Sequence, residues 1–317
     1  MKELVVISGK GGTGKTSIVA CFAALAKNKV LADCDVDAPD LHLVLQPRVL
    51  HREPFSGGKR ARIEGKLCTA CGLCEEMCRF EAVVREEAAG ENAGGAYRID
   101  TIACEGCGVC AYFCPEGAIA LEEVVNGEWF VSETRHGPMV HARLGIAEEN
   151  SGKLVSLVRE QARRLAEEKQ LELVVIDGSP GIGCPVIASI TGAHLVLAVT
   201  EPTLSGLHDL ERVAALTGHF GIPTMVCINK CDLNPQLARR VEGMAGKRGI
   251  RVAGWMRYDN SVTKAQVAGK SVVEYAESAV ADDVRALWAR VSAELSESHP
   301  PLPDEKNEEA NPGGNDE

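Results

Sequence analysis

The chain predicts an α/β fold: a doubly wound, mostly parallel sheet with a small cysteine-rich α+β unit inserted into it. Short, wholly apolar runs alternate with amphipathic segments towards both ends of the 317 residues. That is the pattern of parallel strands covered by helices on both faces. Between about Lys59 and Val124 the alternation stops, and eight of the 13 cysteines fall there.

Leu4–Ile7 is the first strand run, followed by a glycine-rich turn and a helical stretch from about Gly14 to Lys27. Strand runs recur at Val30–Ala32, Leu173–Ile176, Leu195–Val199, Thr224–Ile228 and Val252–Trp255, each brief and apolar throughout. In Lys153–Lys169, Leu154, Leu157, Val158, Ala162 and Leu165 repeat at helical spacing with Arg and Glu opposite. Ala88–Gly95 reads as a flexible loop within the insert. From His299 the chain is Pro, Asn, Gly and acid with a net charge of −5, which cannot bury a core and reads as disordered.

Composition bounds the function. A net charge of −11 argues against non-specific nucleic-acid binding, because phosphates need a basic surface. No run of 18 apolar residues exists to span a bilayer. MKELVVIS enters a strand with no apolar leader or cleavage site, so the expectation is a cytoplasmic protein with no membrane anchor. Thirteen thiols there read as metal ligands or reactive groups rather than disulfides.

Gly9-Lys10-Gly11-Gly12-Thr13-Gly14-Lys15-Thr16 satisfies G-x-x-x-x-G-K-[ST] between a strand and a helix. Its glycines let backbone N–H groups turn towards phosphate oxygens at a helix N-terminus. Lys15 is expected at the β/γ-phosphates, Thr16 on Mg²⁺, and Gly11, Gly12, Thr13, Gly14 and Ser17 around the nucleotide. Acids end further strand runs: Asp33 and Asp35 after the second, and Asp177 after Val174–Ile176. Asn229, Lys230 and Asp232 close another strand; as a bare motif they suit guanine as well as adenine.

Cys68-x2-Cys71-x2-Cys74-x3-Cys78 and Cys104-x2-Cys107-x2-Cys110-x3-Cys114-Pro115 repeat the bacterial ferredoxin run for two [4Fe-4S] clusters. Three thiolates wrap one cubane while the fourth ligates the other. The expected sets are Cys68, Cys71, Cys74 with Cys114, and Cys104, Cys107, Cys110 with Cys78. Arg79 stands where Pro follows the second run, a minor departure. A zinc site would favour two separated CxxC pairs without the third Cys. Gly72, Gly106, Gly108 and Ala118-Ile119 also resemble ferredoxin packing.

KGGTGKT resembles the deviant P-loop of the MinD/ParA/Mrp/nitrogenase-iron-protein group of dimeric ATPases. The whole, from Met1 to about Leu295, resembles MinD-superfamily ATPases with an inserted ferredoxin domain. DCDVDAPD, ETRHGPMVHA, DGSPGIGCPV and VTEPTLSGLHDL look typical of it. The resemblance implies a mostly parallel, doubly wound P-loop NTPase sheet with a small α+β bacterial-ferredoxin insert. Residues 1–58 and 125–298 would form the ATPase domain, 59–124 the ferredoxin, and 299–317 the acidic tail. It further implies that Lys10 reaches the partner's phosphates across a nucleotide sandwich, that Asp35 positions the attacking water, and that Asp35 and Asp177 meet Mg²⁺ through water. Asn229, Lys230 and Asp232 would recognise the base, with Arg257–Asp259 completing the pocket; the choice of ATP rests on this resemblance. Because the C-terminus carries no basic amphipathic helix, membrane oscillation of the MinD kind is not implied.

Cys184 lies seven residues after Asp177, the offset at which the nitrogenase iron protein carries a subunit-bridging cluster ligand. A bridging site needs a second ligand; residues 126–150 hold no Cys and offer only His136 or His141, so Cys184 reads as a small buried or loop residue, with a bridging ligand as the open alternative. Cys21, Cys34, Cys227 and Cys231 read as packing residues, and His136 and His141 as caps or solvated side chains. The expected function is an ATP-hydrolysing homodimer, or a heterodimer with a related ATPase, that gates electron transfer to a redox partner. The alternatives are an ATPase of the Mrp kind that assembles or carries iron–sulfur or other metal cofactors for an accepting protein, and a ParA/MinD-like positioning regulator.

Overall fold

The computed structural model describes residues 1–86, 97–145 and 151–297; the loop expected at Ala88–Gly95 and the tail lie outside them. The chain starts with β1 (Lys2–Ser8), α1 (Lys15–Leu25), β2 (Lys29–Asp33), α2 (Leu41–Leu45) and β3 (Arg48–Phe55). Next comes a small unit of β4 (Gly58–Ile63), α3 (Leu73–Glu76), β5 (Val83–Arg85), β6 (Tyr97–Ile99), α4 (Val109–Tyr112) and β7 (Ile119–Val124). The hairpin β8 (Gly127–Thr134) and β9 (Gly137–Leu144) then leads to α5 (Ser151–Glu168), β10 (Leu173–Pro180), α6 (Cys184–Ile190) and β11 (Leu195–Thr200). The remainder is α7 (Leu204–His219), β12 (Thr224–Ile228), α8 (Pro235–Lys247), β13 (Arg251–Trp255), α9 (Asn260–Val267), α10 (Val272–Tyr275) and α11 (Ala279–Glu297).

Nine strands form one sheet in the order β13-β12-β11-β1-β10-β2-β9-β8-β3. Pairings from β13 to β9 are parallel, and β8 and β3 extend the edge antiparallel. The period of two sorts each apolar run between two cores. Val5, Ile7, Val174 and Ile176 face the layer of α5 and α8, whereas Leu4, Val6, Val175 and Leu197 face that of α1 and α11. This double covering is why the runs carry no polar alternation. Cys21, Cys34 and Cys227 lie in these cores, where burial pushes their thiols up, Cys21 to about 11.

Three strands carry no such signal. β3 is exposed from Arg48 to Pro54, so nothing in it needs to be apolar. In β8–β9, Arg135 and His136 form a two-residue hairpin turn and Gly137 has φ 114°. The ETRHGPMVHA stretch is therefore a hairpin, and the expectation of capping or solvated histidines is corrected there. His141 is buried against Ser132 Oγ at 2.9 Å and stacked on Phe130. His136 lies 2.9 Å from Glu274 Oε1.

The small unit leaves the main sheet after β3 and returns before β8, with Phe55 paired to Gly127. β4 and β7 make its antiparallel base, and β5 and β6 a second short pair. Its two halves repeat. Gly72 (φ 82°) opens α3 and Gly108 (φ 81°) opens α4, a backbone region glycine enters without strain. The Glu64 N–H donates to Ala118 O and the Asp100 N–H to Ala82 O, both at 2.7 Å. A separate core of Ala61, Cys74, Val83, Tyr97, Cys110 and Ile119 fills the interior.

Candidate functional site

The carboxyl ends of the parallel strands surround a cavity of about 590 Å³, lined by the glycine-rich loop, Asp35, Ser179, Asn229, Lys230 and Arg257–Asp259. Ligand crevices of α/β sheets lie at such strand ends. Gly14 has φ 93°, and a Cβ there would stand 2.3 Å from Asn229 Nδ2. Asn229 Nδ2 donates to Thr13 O at 2.7 Å, and Lys230 Nζ donates to Gly12 O at 3.0 Å. Both therefore brace the loop from β12. Ser17 Oγ accepts from Gln266 Nε2 at 2.9 Å.

Lys15 is buried among acids, its Nζ 2.6 Å from Asp177 Oδ1 and 3.4 Å from Asp35 Oδ2. Burial alone would lower its affinity for a proton, but Asp177, Asp35 and Asp33 override it and hold the ammonium up at about 12. Burial pushes the Asp35 carboxyl up and, with the Asp177 charge adding to it, the Asp33 carboxyl well up. Asp33 accepts the N–H of Asp35 at 3.1 Å and of Leu41 at 3.3 Å, so it shapes the loop after β2. That loop is tied to the one after β10, since the Cys34 N–H donates to Asp177 O at 2.8 Å and Ser179 Oγ donates to Cys34 O at 2.7 Å.

Among the described residues, four buried side-chain polar atoms lack a hydrogen-bond partner, and Thr13 Oγ1 and Asp177 Oδ2 are two of them. Thr13 lines the cavity and Asp177 lies behind Lys15; a phosphate and a cation are groups that would meet these two needs. Thr16 lines the same cavity. Lys10 is engaged within its own chain: its Nζ lies 2.7 Å from Glu201 Oε1 and 2.9 Å from Ser205 Oγ. Glu201 also takes Lys230 Nζ at 3.1 Å. Sequence reasoning missed Glu201, although an acid just past the β11 strand end follows the rule that found Asp35 and Asp177. Asp232 does not line the cavity; its Oδ1 accepts the Tyr258 N–H at 2.7 Å.

In the small unit two hollows form. One is lined by Cys68, Cys71, Cys74 and Cys114, the other by Cys78, Cys104, Cys107 and Cys110. Each takes three thiols from one run and one from the other. Cys78 Sγ accepts the Ala82 N–H and Cys114 Sγ the Ala118 N–H, both at 3.3 Å. Among the described residues no group of three or more His, Cys, Asp or Glu converges to hold a single metal ion. Cys184, expected to be a small buried or loop residue, is exposed at the start of α6.

The family of CobQ/CobB/MinD/ParA nucleotide binding domains matches residues 4–272. The chain belongs to this family. An uncharacterized protein of Methanocaldococcus jannaschii, MJ0578, is 33% identical over 242 residues, covering 73% of this chain and 79% of its own. Among solved structures, the MinC:MinD cell division protein complex of Aquifex aeolicus has a TM-score of 0.55 at 15% identity, over 95% of this chain and 98% of that one. The septum site-determining protein MinD of Pyrococcus horikoshii, complexed with Mg-ADP, has a TM-score of 0.54 at 15% identity, over 92% and 95%. This protein is accordingly a P-loop ATPase with a MinD-like main sheet. Among the described residues no helix is long and apolar enough to cross a membrane.

Proposed function

We propose that this ATPase is a nucleotide-gated dimer, of two copies or of this chain with a related ATPase, that couples ATP hydrolysis to electron transfer with a redox partner. Two [4Fe-4S] clusters in residues 59–124 would carry the electrons, residues 1–58 and 125–298 the nucleotide, and 299–317 a tail. The observation that carries the reading is the pair of hollows with crossed cysteine sets, the ligand exchange expected of a two-cluster ferredoxin.

The donor chemistry fits. Each cubane iron takes its own thiolate, so the four sulfurs stand farther apart than ligands of one ion. Backbone N–H groups already point at Cys78 and Cys114 Sγ, as they do where sulfur carries negative charge. When bound, the clusters supply one-electron storage. The chain buries Cys74 and Cys110 and exposes Cys71 and Cys107, leaving one side of each hollow near the surface.

At the nucleotide, the glycine-loop amides and Lys15 would hold the phosphates, and Thr16 would hold Mg²⁺, with Asp35 and Asp177 meeting it through water. Asp35 also orients the attacking water. Positioning and charge neutralisation do most of the work in phosphoryl transfer. Lys10 of one subunit serves the partner's phosphates, which requires it to leave Glu201. Asn229 and Lys230, which brace the glycine loop and line the cavity, would meet the base together with Asp232, which acts through Tyr258.

The direct test is anaerobic purification with iron and sulfide counting. About eight of each per chain are expected from two cubanes, and a chain lacking both contradicts the reading. A second reading, a cluster carrier, is favoured by the exposure of Cys71 and Cys107; rapid transfer of clusters to an apo-acceptor would select it. A third, a positioning regulator, is favoured by the fold shared with MinD. ATP-dependent DNA binding in a low-salt gel shift would select that one, against the negative charge.

A further inference from the structure

We propose that Asn126 couples the nucleotide loops to the cysteine unit, as a positioning residue at the neck where that unit joins the sheet. The proposal rests on the preceding reading in placing Asp35 and Asp177 at the Mg²⁺ of the nucleotide, and it takes the loops after β2 and β10 as the ones that respond. The chain enters the unit through Phe55–Gly58 and leaves it through Val124–Gly127. Asn126, 5% exposed, joins the two crossings. Its Oδ1 accepts the Gly57 and Gly58 N–H groups at 3.0 and 3.1 Å, and its own N–H donates to Phe55 O at 2.8 Å.

The same residue is tied to the nucleotide side. Its carbonyl accepts the Gly145 N–H at 2.6 Å, and the preceding Leu144 donates its N–H to Val36 O at 3.0 Å. Val36 follows Asp35, whose carboxylate lies 3.4 Å from Lys15 Nζ. Two backbone hydrogen bonds thus span the distance from the neighbour of Asp35 to the neck. A second strut runs from the other loop. Lys153 Nζ donates to Gly57 O at 2.8 Å, and α5, which carries Lys153, packs against α6 at the end of that loop. Cys34 and Ser179 bind the two loops to each other, so both struts are driven together.

Val36 and Asn126 are buried, and a buried polar group left without its partner is destabilising. A shift of Val36, when Asp35 exchanges Lys15 for the cation and water, is therefore passed to Gly57 and Gly58 rather than absorbed by a broken bond. A turn residue that only stabilises the neck would hold it equally in both nucleotide states. Coupling requires a difference between the states that disappears when the link is cut.

Hydrogen–deuterium exchange of the β4 and β7 amides separates these cases, with the full chain in Mg-ADP and in a non-hydrolysable ATP analogue with Mg²⁺. In the wild type the exchange rates differ between nucleotides by at least about fivefold, the low end of a site-to-site coupling. Asn126→Ala brings the ratio close to one while nucleotide binding is kept. Gly145→Pro, which removes the N–H given to Asn126 and leaves its side chain alone, does the same, and Asn126→Asp, which keeps the accepting oxygen, restores the ratio. A wild-type neck indifferent to nucleotide overturns the proposal, as does a ratio unchanged in both Asn126→Ala and Gly145→Pro. Amide exchange reads no iron, so a chain found without clusters would refute the preceding reading and leave this test intact.

Discussion

Lys15 offsets three carboxylates whose mutual repulsion would otherwise raise the cost of folding this corner. Its replacement acts twice. Lys15→Ala should lower ATP turnover about 100-fold or more, the scale of losing one preorganised donor at a phosphoryl group, with iron content unchanged. Iron lost together with turnover would show that the cysteine unit does not fold apart from the ATPase. Lys10→Ala should weaken ATP-dependent association in light scattering, whereas Glu201→Gln, which removes the in-chain competitor for Lys10, should strengthen it. Association indifferent to both changes would remove the cross-subunit role. The glycine-loop residues were legible because backbone chemistry dictates them. Glu201 and Asn126 were not, because each acts through a contact between segments far apart in the chain.

The β8–β9 hairpin shows the same limit at the level of elements. Strands β1, β2 and β10–β13 stood out because both of their faces are buried. β8 and β9 mix buried Trp129, Ser132, Met139 and His141 with charged neighbours, and β3 is nearly all exposed, so no period survives in the letters. The hairpin also predicts a pH response. Burial, with a smaller contribution from His42, pushes His141 down to about 4, against about 6.5 when unfolded. Between those values the unfolded chain binds a proton that the folded hairpin resists. The contribution of neutral His141 is thus complete above pH 6.5 and lost as pH falls towards 4. Denaturation midpoints at pH 7.5 and 5 should differ less in His141→Gln than in the wild type; an undiminished difference would assign the slope to other groups.

In the whole molecule, two units meet at one neck, and the duplicated cysteine spacing was legible because ligands of the proposed cubanes would have to lie close together in the chain. The spacing gives no sign of how that unit is attached, since Asn126, Gly145 and Lys153 are ordinary residues whose value lies in where the sheet puts them. With the proposed clusters in the two hollows, the crossed cysteine sets predict that Cys114→Ala empties the hollow of Cys68, Cys71 and Cys74 alone, taking iron from about eight to about four per chain. Equal loss from both hollows would contradict the assignment. Gating by nucleotide is tested most directly by reducing the anaerobic, iron-replete chain and following its oxidation by a one-electron dye in stopped flow. The expected result is a rate several-fold higher with Mg-ATP than with Mg-ADP; identical rates with the two nucleotides would contradict an ATP-gated electron donor.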